Sequence, residues 1–213
     1  MNELRYEHIT VDRAEELAAI EHSVFTTIDS SDLYDADGIA KLAANFPEGN
    51  FMVLDGDRAI GMGLGLLVDF DLESPDHTLS EIAGDDGASA HDANHHWYYG
   101  TSIAVFPEYR GRGIGRRLYE LRKQCVRDLG KRGIVAGGVL PGYADHKDEL
   151  TADEYIDRVK AGELYDPTLT FQIENGFEAH HALPGYLADE SVDGNSVLIV
   201  WHNPDLADGG DVG

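Results

Sequence analysis

The spacing of apolar residues predicts strands and helices along most of the chain. Leu4–Ile9 reads as a short first strand. Leu17, Ile20 and Val24 then recur at helical spacing behind Asp12 and Glu15, whose separation is that of a capping box. A second helix is expected over Asp37–Asn45, stopped by Pro47-Glu48-Gly49. Phe51–Leu54 and Ala59–Val68 are apolar runs joined by Asp55-Gly56-Asp57, the pattern of an antiparallel hairpin. Trp97–Phe106, aromatic and β-branched, predicts a fourth strand closed by Pro107. Ile114, Leu118, Leu121, Cys125 and Leu129 follow at steps of four, three, four and four, the stripe of an amphipathic helix. Ile134–Leu140 completes a strand-helix-strand unit whose strands should run parallel.

Further on, Thr151 and Glu154 form a second capping-box pattern ahead of a short helix ending near Gly162. Asp166-Pro167 supplies an N-cap and a proline at the first helical position, so another helix should run to Asn175-Gly176. Phe177–Leu183 and Ser196–Trp201 are the last strands. The chain therefore reads as one α/β (α+β) domain spanning residues 1–213, with loop insertions at about 69–96 and 141–165 and a flexible tail after about 204. Gly61, Gly63 and Gly65 leave one face of the third strand bare, for a ligand, another backbone or a closely packed helix.

Charge changes this picture. The 213 residues carry 40 acids against 16 bases, a formal net charge of -24. The acids are dispersed and lysine is scarce, which favours a halophilic surface, adapted to concentrated salt, over a patch for cationic partners. A charged N-terminus without an apolar core, and the lack of any long apolar window, give the expectation of a soluble, cytoplasmic protein with no membrane contact. The single cysteine, Cys125, lies on a helical stripe and reads as a core residue. Nine of the sixteen bases fall between Arg110 and Arg132, among only two acids, Glu120 and Asp128. That local cationic segment is either a solvated helix face or an anion site.

The glycines in front of it decide. In Ser102-Ile-Ala-Val-Phe-Pro-Glu-Tyr-Arg-Gly-Arg-Gly-Ile-Gly-Arg-Arg-Leu a strand ends, glycines at 111, 113 and 115 open a turn, and a helix begins inside it. Backbone N–H groups can converge there beside the positive end of a helix, a geometry that binds phosphate oxygens. The P-loop pattern fails because arginines follow Gly115, and the dinucleotide fingerprint fails because position 116 is arginine. The pattern R-x-x-G-x-G is present as Arg110, Gly113 and Gly115.

With this stretch, and with Asn175-Gly176-Phe177 as a second landmark, the sequence resembles the GNAT acetyltransferase superfamily over roughly residues 50–201. The resemblance implies a mixed, mostly antiparallel sheet of six to seven strands with a parallel fourth and fifth pair and helices on both faces. It implies acetyl-CoA (coenzyme A) as cosubstrate. Ile103, Ala104 and Val105 would pair with the pantetheine arm, and Arg110, Gly111, Arg112, Gly113, Ile114, Gly115 and Arg116 would hold the pyrophosphate. The long internal insertions resemble the acetyltransferase module found beside a carbon-nitrogen hydrolase domain.

Two departures bear on chemistry. Gln172 stands where many members carry a tyrosine acid, and Thr101 where many carry a glutamate base. Amine acetylation still needs a donor for the developing oxyanion, for which the Val105 backbone N–H is the candidate. Tyr143, after the strand bordering the thioester, is the candidate acid or substrate contact, with packing of its ring as the alternative. His91, His95 and His96 lack a second cluster, so no metal is expected. The expected activity is direct transfer of acetyl to a small-molecule or peptide amine. A coenzyme-A-binding regulatory module with little turnover is the alternative, a homodimer is left open, and the net charge argues against nucleic acid.

Overall fold

The computed structural model describes residues 3–206. Seven strands, β1 (Arg5–His8), β2 (Phe51–Asp55), β3 (Arg58–Val68), β4 (Trp97–Val105), β5 (Gly133–Val139), β6 (Glu178–Leu183) and β7 (Ser196–His202), form one sheet in the order β1-β2-β3-β4-β5-β7-β6. All neighbours are antiparallel except β4 and β5. Helices α1 (Ala14–Val24), α2 (Ala36–Asn45) and α3 (Leu79–Ala83) cover one face, burying Leu17, Ile20 and Ile39 against Met62, Leu64 and Tyr99. On the other face α4 (Ile114–Asp128), α5 (Ala152–Lys160) and α6 (Leu169–Glu174) bury Leu118, Ile156 and Leu169 against Val53, Ile60 and Ile134.

The expected order of elements holds, with local differences. The Asp12–Glu15 capping box does not form: Val11–Arg13 is a 3-10 turn, and Glu16 instead pairs with Arg13 at 2.7 Å and accepts the Ala59 N–H at 2.8 Å, pinning α1 to β3. The Thr151–Glu154 box does form. The last helix starts at Leu169 rather than Pro167, because fully buried Asp166 caps it from farther upstream. Its Oδ1 accepts the N–H groups of Thr168 and Leu169, and its Oδ2 accepts from Gly142 N–H and the Tyr155 hydroxyl. One carboxylate thus ties the 141–165 insertion to α6. The 69–96 insertion contains α3, whose start is a Thr78–Glu81 capping box. Of the expected tail, Pro204–Leu206 is a 3-10 turn, and residues 207–213 lie outside the described ones.

The bare face of β3 is filled by packing. A Cβ on Gly63 would meet Leu118 and Arg122 of α4 at 3.4 Å, and one on Gly65 would meet the Tyr98 ring at 2.4 Å. Cys125 is buried and its thiol is pushed up to about 12 by desolvation, as suits a core residue. Among the described residues no group of three or more His, Cys, Asp or Glu could hold a metal, and no helix is long and apolar enough to cross a membrane. His91 accepts the Leu67 N–H and stacks on Phe46.

Candidate active site

The parallel strands β4 and β5 pair only at Trp97, Tyr98 and Tyr99, opposite Gly133, Ile134 and Val135. Beyond Tyr99 they separate, and a cleft of about 1300 Å³ passes between them. The register of β3 and β4 settles which backbone groups of β4 face it. Phe106 N–H donates to Ile60 C=O, so the alternation of an antiparallel ladder turns Ala104 toward β3 and leaves the N–H groups of Ile103 and Val105 on the side that β5 has vacated. Ile103 and Val105 line the cleft, and Ala104, expected with them, spends its backbone on β3 and its side chain in the core.

Where the splay begins, β4 carries a bulge. Leu64 pairs with Ser102 and Gly65 with Gly100, leaving Thr101 as the extra residue. Both bulge side chains turn toward the α1 face. Ser102 Oγ donates to Glu21 Oε2 at 2.7 Å, and Thr101 Oγ1 lies 2.8 Å from the Tyr34 hydroxyl. That hydroxyl gives its single proton to Gly87 C=O at 2.6 Å, so the Thr101 hydroxyl is the donor between them. From the other face Arg122 donates to the carbonyls of Leu64 and Ser102, occupying acceptors that the bulge frees. Its Nε is buried without a partner. Glu21 is buried beside it, and desolvation raises its carboxyl to about 7 against the lowering effects of Ser102, Tyr34 and Arg122. Helical periodicity places Glu21 on the buried stripe of α1, and that is the one sequence signal that marks it.

At the end of β4 the glycine turn leads into α4. Gly111 and Gly113 have φ of 74° and 77°, and a Cβ on either would meet nothing within 4 Å, so the space beside the turn is open. These values favour glycine. Gly113 is the N-cap of the 15-residue α4 and offers no capping side chain, so the first N–H groups of the helix face outward. Arg110, Gly111, Gly113, Ile114, Gly115 and Arg116 line the cleft mouth. Arg112 does not: it donates to Glu108 C=O and covers the Tyr109 ring. The cationic run is divided among several tasks. Lys123 is half-buried over the Phe177 and Trp201 rings and is lowered to about 8 by desolvation and then by Arg127.

Gly137 and Gly138 of β5 make room for two cleft-lining side chains. A Cβ on Gly137 would lie 2.3 Å from the Tyr186 ring, and one on Gly138 would lie 2.5 Å from Gln172 Oε1. Gln172, in the position of the absent tyrosine, is 5% exposed and its Oε1 has no partner. Tyr143 is not brought to the cleft. Its hydroxyl donates to Leu150 C=O at 3.0 Å and its ring packs on Tyr155, which is the packing alternative.

The sequence matches the acetyltransferase (GNAT) family over residues 14–141. It is 30% identical to "Uncharacterized N-acetyltransferase YkwB" of Bacillus subtilis over 171 residues, 80% of this chain and 76% of that protein. The chain belongs to the GNAT acetyltransferase family. This GNAT chain is also 37% identical to "Probable hydrolase YhcX" of Bacillus subtilis over 162 residues, 76% of its own length, but it spans only about a third (32%) of that relative. Among solved structures it is similar in fold to the loading GNATL domain of CurA from Lyngbya majuscula, at TM-score 0.80 and 23% identity, covering 95% and 98% of the two chains. It is also similar to the GphF GNAT-like decarboxylase in complex with isobutyryl-CoA, at 0.79 and 18%, covering 93% and 99%. YncA from Salmonella typhimurium, with acetyl-CoA, gives 0.59 and 15%, covering 99% of each.

Proposed function

We propose that the chain transfers an acetyl group from acetyl-CoA to the amine of a small molecule or peptide by direct attack on the thioester. One observation carries this reading: the edge of β4 left by β5 leads, through the Pro107–Tyr109 turn, into an open glycine turn at the N-terminus of α4. The turn's N–H groups and the helix dipole suit a pyrophosphate, with Arg110 and Arg116 beside it. An extended amide-bearing arm can pair with the N–H and C=O of Ile103 and with the Val105 N–H as another strand would, the Val105 C=O already accepting from Arg110 Nε at 3.3 Å. Their N–H groups are also fixed dipoles able to stabilise negative charge developing on a thioester oxygen. The orphaned Gln172 Oε1 offers an acceptor to a bound N–H donor. YkwB's name and the coenzyme held by YncA and GphF support the cosubstrate.

The acceptor then enters from the α1 face. There the segment after α1 is tied to the loop before β7 by the Ile28–Asp189 bridge, by Thr27 Oγ1 donating to Asp189 at 2.7 Å and by Ala188 N–H donating to Asp32 at 2.6 Å. Release of coenzyme A thiol from acetyl-CoA, measured with a panel of primary amines, tests the proposal. Amine-dependent release supports it; coenzyme binding without release overturns it.

A second reading is favoured by the closer fold similarity to the CurA loading domain and the GphF decarboxylase, together with Gln172 and Thr101 in the usual acid and base positions. The same N–H groups would stabilise the enolate left when a β-carboxyacyl thioester loses carbon dioxide, a step needing no base. Carbon dioxide release from such a thioester, without any amine, distinguishes this reading from the first.

A further inference from the structure

The cleft holds a carboxyl group for which the coenzyme site has no use. Ala14, Leu17, Ala18 and Glu21 are buried at the spacing i, i+3, i+4 and i+7, so helical geometry itself carries Glu21 inward, where it is 3% exposed yet lines the cleft. Its partner, Ser102, stands at the bulge where β4 leaves β5. Burying an acid this deeply is costly unless it is neutral or paired. The charged group acting on it is Arg122 from α4, whose contacts go to the Leu64 and Ser102 carbonyls and not to the carboxylate. Tyr34, whose backbone N–H approaches the carboxylate and whose hydroxyl is held neutral, faces it from the segment after α1. Asp32, Asp189 and Tyr186 line the same cleft. The result is a carboxyl poised near neutrality, the condition for efficient proton transfer at physiological pH.

We infer that Glu21 is the general base of the transfer reaction, receiving a proton from an acceptor amine that approaches the thioester along the α1 face. This rests on the acetyl-transfer reading above. The amine lone pair forms the C–N bond at the carbonyl carbon, and one N–H proton passes to the Glu21 carboxylate. The C–S bond breaks with its electron pair on sulfur, and the proton held by Glu21 neutralises that thiolate. Ser102 holds the carboxylate in place and is a positioning residue.

The test is Glu21→Gln, which has the shape of the protonated acid. Calorimetry with acetyl-CoA is combined with kcat/KM against pH for a panel of primary amines. For the wild type we expect an acid limb near pH 7 that stays in place when the acceptor's own pKa is varied. Glu21→Gln should bind acetyl-CoA as the wild type does, lose ~100-fold to 10,000-fold in kcat near neutral pH, and lack that limb. Glu21→Asp should recover part of the rate and retain a limb. Turnover by Glu21→Gln within a few-fold of wild type, with the limb unchanged, overturns the inference alone. A wild type that binds acetyl-CoA but acetylates none of the amines overturns the transfer reading and this inference together.

Discussion

Tyr143 and Tyr186 close identical Leu-Pro-Gly-Tyr segments and end in different places. Tyr186 lies over Gly137 and lines the cleft, where the Tyr99 hydroxyl is 3.0 Å from its own. Tyr143 is enclosed by the 141–165 insertion. Tyr143→Phe should therefore cost about 1 kcal/mol for the lost bond to Leu150 and leave turnover within a few-fold. A rate loss of ~100-fold or more with coenzyme affinity intact would restore Tyr143 as an acid. Glu21 makes a different prediction. Its folded value of about 7 lies above its ordinary 4.5, so between those pH values the folded protein holds a proton that the unfolded chain has released. Stability from this group is present below the lower value and lost as pH rises through the upper one. Glu21→Gln does not titrate. Its stability relative to wild type should rise across that window, by on the order of 3 kcal/mol at most. Urea midpoints for both proteins near pH 4.5 and pH 8 check this, and a pH-independent difference would mean that the carboxyl titrates normally.

The strand-turn-helix element carries the coenzyme proposal, and its two open glycines allow a clean test. Gly113→Asn keeps a residue that tolerates φ of 77°, while its side chain enters space that is empty in the protein. The fold should lose at most about 1–2 kcal/mol, whereas acetyl-CoA affinity should fall at least ~10-fold. Equal affinity by calorimetry would remove the turn from the site. This element was legible in the sequence because its information is local: the strand's composition, the glycine spacing and the helical stripe all lie within one continuous stretch. The Thr151–Glu154 cap was legible for the same reason. What could not be read depends on partners distant in sequence. Periodicity turns Glu21 inward, but only the bulge at Thr101 determines that it meets Ser102, 81 residues away. The resemblance assigns Ile103, Ala104 and Val105 together to the pantetheine arm, and only the register with β3 and the departure of β5 separate Ala104 from the two whose N–H groups are free. Asp166 reads locally as an N-cap, and its second role as acceptor for Gly142 and Tyr155 appears only in the folded chain.

At the scale of the whole molecule, a net charge of -24 acts on both stability and ligand encounter, and salt should move the two in informative directions. The Debye length is about 30 Å at 0.01 M, 10 Å at 0.1 M and 3 Å at 1 M. Repulsion among dispersed surface acids should therefore be largely relieved by ~1 M, and Tm should rise over that range by about 2–4 °C for each kcal/mol relieved. Coenzyme A is itself polyanionic. At low salt it meets a repulsive field over distances larger than the glycine turn, while Arg110 and Arg116 act only at the cleft mouth. The long-range term is screened first, so the association rate for acetyl-CoA should increase as salt rises from ~0.01 to ~0.5 M, opposite to the usual behaviour of a cationic phosphate site. The dissociation rate should also increase, because salt weakens the contacts to the turn. Stopped-flow binding across that range separates the two contributions: an association rate that falls with salt would mean that the local arginines steer the coenzyme despite the acidic surface. A Tm that stays flat from ~0.01 to ~1 M would show that the surface charge is not adapted to concentrated salt.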